Sequence, residues 1–430
     1  MKNFTRLSRI VAVTSLSAVA LTACGGDADG GGGGEAGGDE DVQLRFTWWG
    51  SDSRHQTTQE IIDAFEEEHP HISISAEYGD WSGYWDQLAT QSAGGEMPDI
   101  IQMDDKYLRE YADRGALLDL SDVDVSEFDQ DSVDNGRTED GLFGITTGIN
   151  SLALIANPEL FDEAGVEIPD DTTWTWDDFA EISAELSENL DDGYGTNDPN
   201  EPGGFQIWLR QQDQHMTTDE GELGFDADDA AEYFQYYLDL VDEGIPSAAV
   251  MSENQSSGPD QSLLGTGQVA MAPWWTNQIN GLSEASGVDL ELLRFPSSTG
   301  SAEDNGMWYK SSMLMSASAT TDHPEEAQLF IDYFVNSEEA GLLNLVDRGL
   351  PGNNSVREAI LPELEGPDLT SAEFIEEIED ELAGPEPVPS LGFSGLQDII
   401  YRYEMEVFFD RQSPEDAAEN MISEMEAELR

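Results

Sequence analysis

Cysteine is nearly absent. Cys24 is the only one in 430 residues, which excludes a disulfide scaffold and every cysteine-rich zinc or iron–sulfur arrangement. Positive charge is almost as scarce: lysine occurs three times, at Lys2, Lys106 and Lys310, and 17 Lys+Arg stand against 91 Asp+Glu for a formal net charge of −74. Phosphate backbones are held by clustered Lys and Arg, so nucleic acid is excluded as a partner. Only five histidines are present, and the nearest pair, His69 and His71, flanks Pro70 at the end of a helical pattern; that reads as a turn and not as metal ligation. Asp129-Gln130-Asp131 opens like a calcium loop, but Val133 stands where the fifth-position ligand oxygen belongs. There is no Gly-x-Ser-x-Gly elbow, no His-Glu-x-x-His and no phosphate loop. No metal, cofactor or catalytic residue is expected.

What is present is aromatic. Hydrophobic residues make up 38% and aromatics 9%, with ten Trp, enough to exclude a wholly disordered acidic chain. At this length two domains fit better than one. Met1–Ala23 has Lys2, Arg6 and Arg9 followed by an apolar stretch from Ile10, the pattern of a secretory signal and too short for a membrane span. Leu21-Thr22-Ala23-Cys24-Gly25 resembles the lipobox of bacterial lipoproteins, in which the Cys becomes the lipidated first residue. The Gly/acidic run over 24–41 reads as a flexible tether. The expected location is therefore the extracellular face of the cell membrane, held by lipid. Later in the chain no apolar run is long enough to span a bilayer.

The acidic residues are dispersed, as in Glu66-Glu67-Glu68 and Glu376-Glu377, which reads as a solvated surface. Self-repulsion at this density destabilises a compact state in dilute salt, so a saline habitat is expected.

From Val42 onward, strands and helices alternate. Leu44–Trp48 is a strand, Ile61, Ile62 and Phe65 share a helix face ended by Pro70, and Ile72, Ile74 and Ala76 alternate as a half-buried strand. Trp81, Trp85 and Leu88 mark a helix that stops at Gly94-Gly95. Pro98–Met103 is a strand, and Tyr107, Leu108 and Tyr111 mark the next helix. Such alternation predicts an α/β fold with a mainly parallel sheet covered on both faces. Further helices are expected from Trp176, over Ala231–Val241, from Pro324 and from Ser413-Pro414. The stretch from Gly366 to Pro389, interrupted by a helical Phe374–Leu382, reads as a surface excursion.

Several stretches then match something specific. Phe65–Ile72, Trp81–Leu88, Gly94–Ile101, Tyr111–Leu117, Ser151–Pro158, Ala270–Trp274, Pro324–Ala327 and Gly349–Gly352 resemble, in order, the family 1 extracellular solute-binding proteins, the carbohydrate-binding lipoproteins of ABC importers. The resemblance implies a two-lobed periplasmic-binding-protein-like fold (type II) with hinged lobes and a ligand cleft between them. The N-lobe would be 42–148 and 297–346, and the C-lobe 149–296 and 347–430. It further implies a mono- or oligosaccharide ligand, closure of the lobes around it, ABC permease subunits as partners, and a monomer. Ala156 stands where the family has Tyr, so no ligand contact is carried onto it.

A sugar ring needs aromatic faces to stack on and planar donors and acceptors for its hydroxyls. Loops at the carboxyl ends of strands build the crevice in such sheets, which nominates Trp48, Trp49, Asp52 and Arg54 after the first strand and Asp104 after the third. Trp274 and Trp275 are adjacent in an extended segment, so their rings face opposite ways and cannot share one core; Asn277 follows them. Trp81, Trp85, Asn150, Trp208, Trp308 and Arg348 complete the candidate contacts, whereas Trp174 and Trp176 read as core. Two alternatives remain open from the residues: a secreted carbohydrate-active hydrolase, and a binding protein for a non-sugar solute such as a glycerol phosphodiester or a peptide.

Overall fold

The computed structural model describes residues 41–138, 140–198, 202–218, 221–241, 243–255, 257–382 and 389–429; the signal and tether readings, and Cys24 with them, lie outside these residues. The strands are β1 (Val42–Trp49), β2 (Ile72–Gly79), β3 (Ile100–Met103), β4 (Arg137–Thr138), β5 (Gly141–Leu142), β6 (Ile145–Asn150), β7 (Leu152–Ala156), β8 (Met271–Trp275), β9 (Glu291–Leu293), β10 (Lys310–Ala317) and β11 (Leu350–Pro351). A six-stranded sheet has the order β11-β6-β10-β3-β1-β2, a three-stranded sheet the order β8-β7-β9, and β4-β5 is a minor hairpin.

The mainly parallel expectation is corrected. β1 is parallel to β2 and β3, but β10 runs antiparallel to β3 and β6, and β11 antiparallel to β6. The strand–helix alternation at the start of the chain is a local signal. β10 returns only after the chain has built the second sheet, so its direction is set by that return. The second sheet is wholly antiparallel.

Three helices build the first half. α1 (Asp52–Glu68) starts at Ser51, whose Oγ accepts from the Arg54 N–H at 3.4 Å, and buries Thr58, Ile61, Ile62 and Phe65 at helical spacing. α2 (Trp81–Gly94) ends on Gly95 with φ +71°, a left-handed position that glycine adopts without strain. α3 (Asp105–Asp113) is capped by Asp104, whose carboxylate accepts from Lys106 N–H at 3.1 Å. These helices and the Pro324–Asn336 helix cover the two faces of the six-stranded sheet with separate apolar clusters, one around Phe46, Phe65 and Phe330, the other around Trp85, Leu108 and Leu314. The three-stranded sheet has its own core, built with Phe179, Phe205, Tyr233 and Tyr237 and including Trp174 and Trp176.

Only Ser151 separates β6 from β7, so the chain leaves one sheet for the other within a single residue. It returns through residues 294–309 into β10. β11 then pairs Leu350 with Ile149 and Pro351 with Gly148, which keeps this segment with the six-stranded sheet, past the boundary read at 346/347. Gly148 makes that approach possible: a Cβ there would lie 2.3 Å from the Arg348 carbonyl oxygen.

The surface excursion is also corrected. A helix already begins at Gly366 and runs to Glu377, burying Ser371, Ala372, Phe374 and Ile375. Buried Arg294 holds its end, pairing with Asp171 at 3.1 Å, Glu377 at 3.1 Å and Glu381 at 2.6 Å. Pro367 and Asp368 lie in the helix's first turn and Glu373, Glu376 and Glu377 on its exposed face, while residues 383–388 of the stretch lie outside the described residues.

Candidate functional site

The two sheets meet where β6 ends and β10 begins. Lys310, the first residue of β10, lies opposite Asn150, the last of β6. Its Nζ is 3.4 Å from Asp104 Oδ2 and 3.1 Å from Asp105 Oδ1, and stands 5.4 Å from the ring centroid of Trp275 on β8. The next residue, Lys106, donates through Nζ to Gln397 Oε1 at 3.1 Å, joining α3 to the Phe393–Phe408 helix, which packs on the second core. Asn150 Nδ2 donates to Asn277 Oδ1 at 2.9 Å. The Lys310–Trp275, Lys106–Gln397 and Asn150–Asn277 contacts tie the six-stranded sheet and its helix α3 to the other sheet's side, whereas Lys310, Asp104 and Asp105 all belong to the six-stranded side.

The charges here are unequal. Burial alone would raise the Asp104 carboxyl, but the Lys310 and Lys106 ammoniums, with a hydrogen bond from Asp105, hold it down at about 2. Burial pushes Asp105 up to about 7 against the pull of Lys310, with the Asp104 charge beside it adding to the rise. The Asp104 charge beside it opposes ionisation of half-buried Asp105, whose carboxyl is therefore raised even though it is the nearer of the two to the ammonium.

Beside this quartet lies an aromatic cluster. The Tyr107 ring stacks on Trp85 at 3.7 Å and 17°. Trp85 also meets Trp49 and Trp81, each at 5.5 Å, and Tyr84 at 5.0 Å. Trp81 is 40% exposed, so this cluster presents an open indole face. Two buried polar atoms here have no hydrogen-bond partner, Asn150 Oδ1 at the junction and Trp85 Nε1 in the aromatic cluster. Orphans of this kind are rare in folded proteins, and each calls for an explanation. A cavity of about 200 Å³ opens beside the start of α2, between Tyr78, Asp80, Tyr84 and Gln87.

The expected contacts divide. Asp104, Asn150, Asn277 and half-buried Trp274 and Trp275 stand at or next to the junction, and Trp81 and Trp85 stand in the aromatic cluster around Tyr107. Trp48 does not: it is fully buried against Phe46, and its Nε1 donates to His55 Nδ1 at 3.0 Å. Trp49 is buried beneath Trp81 at 5.0 Å and supports the cluster from below. Alternation along β1 explains this, since both faces of that strand are covered. Arg348 is corrected from cleft to core. It is inaccessible and donates to Gln102 Oε1, Asn344 Oδ1 and Thr58 Oγ1 at 2.9, 3.0 and 2.7 Å. Arg54 is spent on Asp347 at 2.7 Å, and Asp52 is exposed in the first turn of α1. Trp308 is buried under Arg210, whose guanidinium carbon is 5.3 Å from the ring, and Trp208 packs on Trp176 at 5.3 Å in the second core.

Sequence reasoning missed Asp105, Lys106, Tyr107, Lys310 and Gln397. One signal was available: two of only three lysines fall here, in a chain that otherwise avoids them. Among the described residues no group of three or more His, Cys, Asp or Glu could hold a metal ion, and no helix is long and apolar enough to cross a membrane.

Comparison with known proteins matches residues 60–364 to a family described as bacterial extracellular solute-binding protein. An uncharacterized lipoprotein in the oleD 5' region of Streptomyces antibioticus is 26% identical over 348 residues, covering 75% of this chain and 73% of that one. The solved family 1 extracellular solute-binding protein of Alicyclobacillus acidocaldarius is 26% identical with a TM-score of 0.69, covering 91% and 99% of the two chains. A periplasmic oligogalacturonide binding protein from Yersinia enterocolitica, solved in complex with saturated digalacturonic acid, is 21% identical with a TM-score of 0.78, covering 90% and 100%; that likeness is one of fold. With two sheets, each with its own core, the chain shares the mixed α/β fold of these two-lobed proteins.

Proposed function

Starting from the fact that this chain belongs to the bacterial extracellular solute-binding proteins, we propose that it captures an oligosaccharide between its lobes and delivers it to the permease of an ABC importer. The reading rests above all on one observation, the buried and unpartnered Asn150 Oδ1 and Trp85 Nε1 beside open aromatic rings. A sugar hydroxyl donates to the first and accepts from the second, which removes the cost of burying either alone. The apolar face of the pyranose lies on Trp81 or on the half-buried Trp274 and Trp275. Asp104, held ionised, accepts further hydroxyls. Interlobe contacts such as Lys106–Gln397 fix the closed arrangement that a permease recognises. The ligand leaves unchanged: the family consists of binding proteins, and no step here breaks a bond. The proposal extends to a monomer held on the extracellular face of the cell membrane through lipid on Cys24.

A panel of mono- and oligosaccharides tests this by thermal shift and Trp fluorescence in high salt, with chromatography of the recovered sugar. The expected result is a ligand that raises the melting temperature and is recovered intact. Failure of every saccharide to shift the melting temperature sinks the carbohydrate reading; recovery of shortened sugars sinks the binding-only role.

A further inference from the structure

β2, β1 and β3 lie side by side and parallel, so all three strands end on one edge of the six-stranded sheet. Loops on such an edge build the crevice. Asp104 and Asp105 follow β3 there, and Asp80 follows β2. Two strand spacings, about 10 Å, separate these ends. The cavity of about 200 Å³ opens at the β2 end, and Tyr78, Asp80, Gly83, Tyr84 and Gln87 are among the residues that line it. Tyr84 is the wall it shares with the aromatic cluster, 5.1 Å from Trp49 and 5.0 Å from Trp85. Its hydroxyl donates to the Gln102 carbonyl at 2.6 Å, which fixes that wall. Trp81 stands between the two ends: it follows Asp80 directly, is 40% exposed and lies 6.4 Å from Tyr107 on α3.

We propose that this cavity is an outer subsite for a further unit of the saccharide chain, so that the protein takes oligosaccharides long enough to run from the junction past Trp81 to Tyr78. The inference rests on the carbohydrate reading above and sets the ligand's length class, because one sugar ring cannot cover both strand ends. Three features of the lining agree on it. Tyr78 is 60% exposed, yet its ring is held: it stacks on His55 at 4.0 Å and 29°, and Trp48 Nε1 donates to His55 Nδ1 at 3.0 Å. An open ring already packed from behind takes the C–H face of a sugar with little ordering cost. Asp80 and Gln87 are exposed beside it, and the Asp80 carboxylate makes no cap hydrogen bond to α2, which provides acceptors and a donor for hydroxyls. Gly79 and Gly83 keep the space open, since a Cβ at either would meet nothing within 4 Å. Glycine weakens a helix interior, and the packing of α2 does not require it at Gly83.

The test is calorimetry on the full chain with dimers to pentamers of each sugar series that raises the melting temperature in the panel above. Wild type is expected to gain about tenfold or more in affinity from dimer to pentamer, the scale of one stacked ring with its hydrogen bonds. Gly83→Leu puts a side chain into the open space while favouring the helix. It should abolish the gain, leave dimer affinity within about twofold, and keep or raise the melting temperature. Tyr78→Ala should lose most of the gain through the missing ring. Equal affinity for dimer and pentamer in wild type overturns the inference while leaving the carbohydrate reading standing. A gain that survives in Gly83→Leu overturns it too, because the distal unit then lies elsewhere. Equal losses for dimer and pentamer in Gly83→Leu also overturn it, since the cavity then belongs to the junction's own sugar. Binding of no series removes both readings together.

Discussion

Asn150 donates through Nδ2 to Asn277 Oδ1 over 2.9 Å, so the last residue of β6 grips the loop after β8 across the point where the chain passes between sheets. The same side chain leaves its carbonyl oxygen buried and without a donor. A residue kept only for the crossing would not need that unmatched atom. Asn150→Ala is expected to weaken saccharide binding about tenfold, through one lost hydrogen bond and a freed hinge, while changing unliganded stability little. Titration calorimetry beside thermal melts separates the two effects. Unaltered affinity with a lowered melting temperature would make Asn150 a hinge residue alone.

Trp81 and Trp48 should behave in opposite ways. Trp81 is 40% exposed and Trp48 is inaccessible in the core. Trp81→Ala removes an open stacking face, so affinity should fall by about tenfold with a stability change below about 1 kcal/mol. Trp48→Ala opens a cavity among Phe46, Tyr78 and His55 and should cost about 3–5 kcal/mol in chemical denaturation. Equal effects of the two variants on binding would show that Trp81 is not a ligand face.

These two tryptophans show what was legible in the sequence. Helix periodicity placed Trp81, Trp85 and Leu88 on one helix, and the structure has that helix at Trp81–Gly94. Alternation in β1 could not reveal that both faces of the strand are covered, because the Pro324–Asn336 helix that packs on one face comes from nearly 300 residues later. The same long-range packing hid Arg348, whose partners Thr58 and Gln102 lie 290 and 246 residues away. Asp104 was readable because it directly follows β3, a local signal. Lys310 was not, since its place opposite Asn150 depends on the antiparallel insertion of β10, a matter of tertiary register and not of local pattern. The order of the family-like stretches carried the two-lobed fold better than any single element did.

Arg348 should report on stability. Burial lowers its guanidinium to about 9, yet its three side-chain partners and the Asp347 carboxylate at 3.5 Å hold it in place. Arg348→Met leaves Gln102, Asn344 and Thr58 with unmatched polar atoms and Asp347 with one cation fewer, at a cost of about 3–5 kcal/mol. Urea unfolding measures this. Because Gln102 Nε2 also donates to the Trp49 carbonyl at 3.1 Å, the aromatic cluster should loosen in near-UV circular dichroism. A variant as stable as wild type would contradict the assigned network.

Salt should stabilise the chain. With a net charge of −74 spread over its surface, repulsion extends over a Debye length of about 10 Å at 0.1 M salt and about 3 Å at 1 M. The melting temperature is expected to rise steadily over that range, and to rise as much with potassium chloride as with sodium chloride if screening is the cause. A flat profile would reduce the acidity to compositional bias.

The second core holds a carboxyl pair that should set the opposite dependence on pH. Asp198 and Glu404 are both buried, and neither Asp198 oxygen has a hydrogen-bond partner. Burial raises the Asp198 carboxyl to about 7 and drives Glu404 well above the carboxylate range, with the charge of Asp198 adding to it. Tyr233 and Tyr237 face the pair from the Ala227–Leu240 helix, with their own ionisation pushed further up by burial and by these acids. Below the ordinary carboxylate pKa of about 4 both the folded and unfolded chains hold these protons, and the pair carries no penalty. Between about pH 4 and 7 the unfolded chain releases them while the folded chain does not, so stability falls as pH rises. Asp198→Asn removes one of the two titrations and should gain on the order of a few kcal/mol at pH 8, with little or no gain at pH 4. Thermal melts of the two proteins across that range decide it: a gap that widens on acidification instead of closing would show that these carboxyls are charged in the folded state.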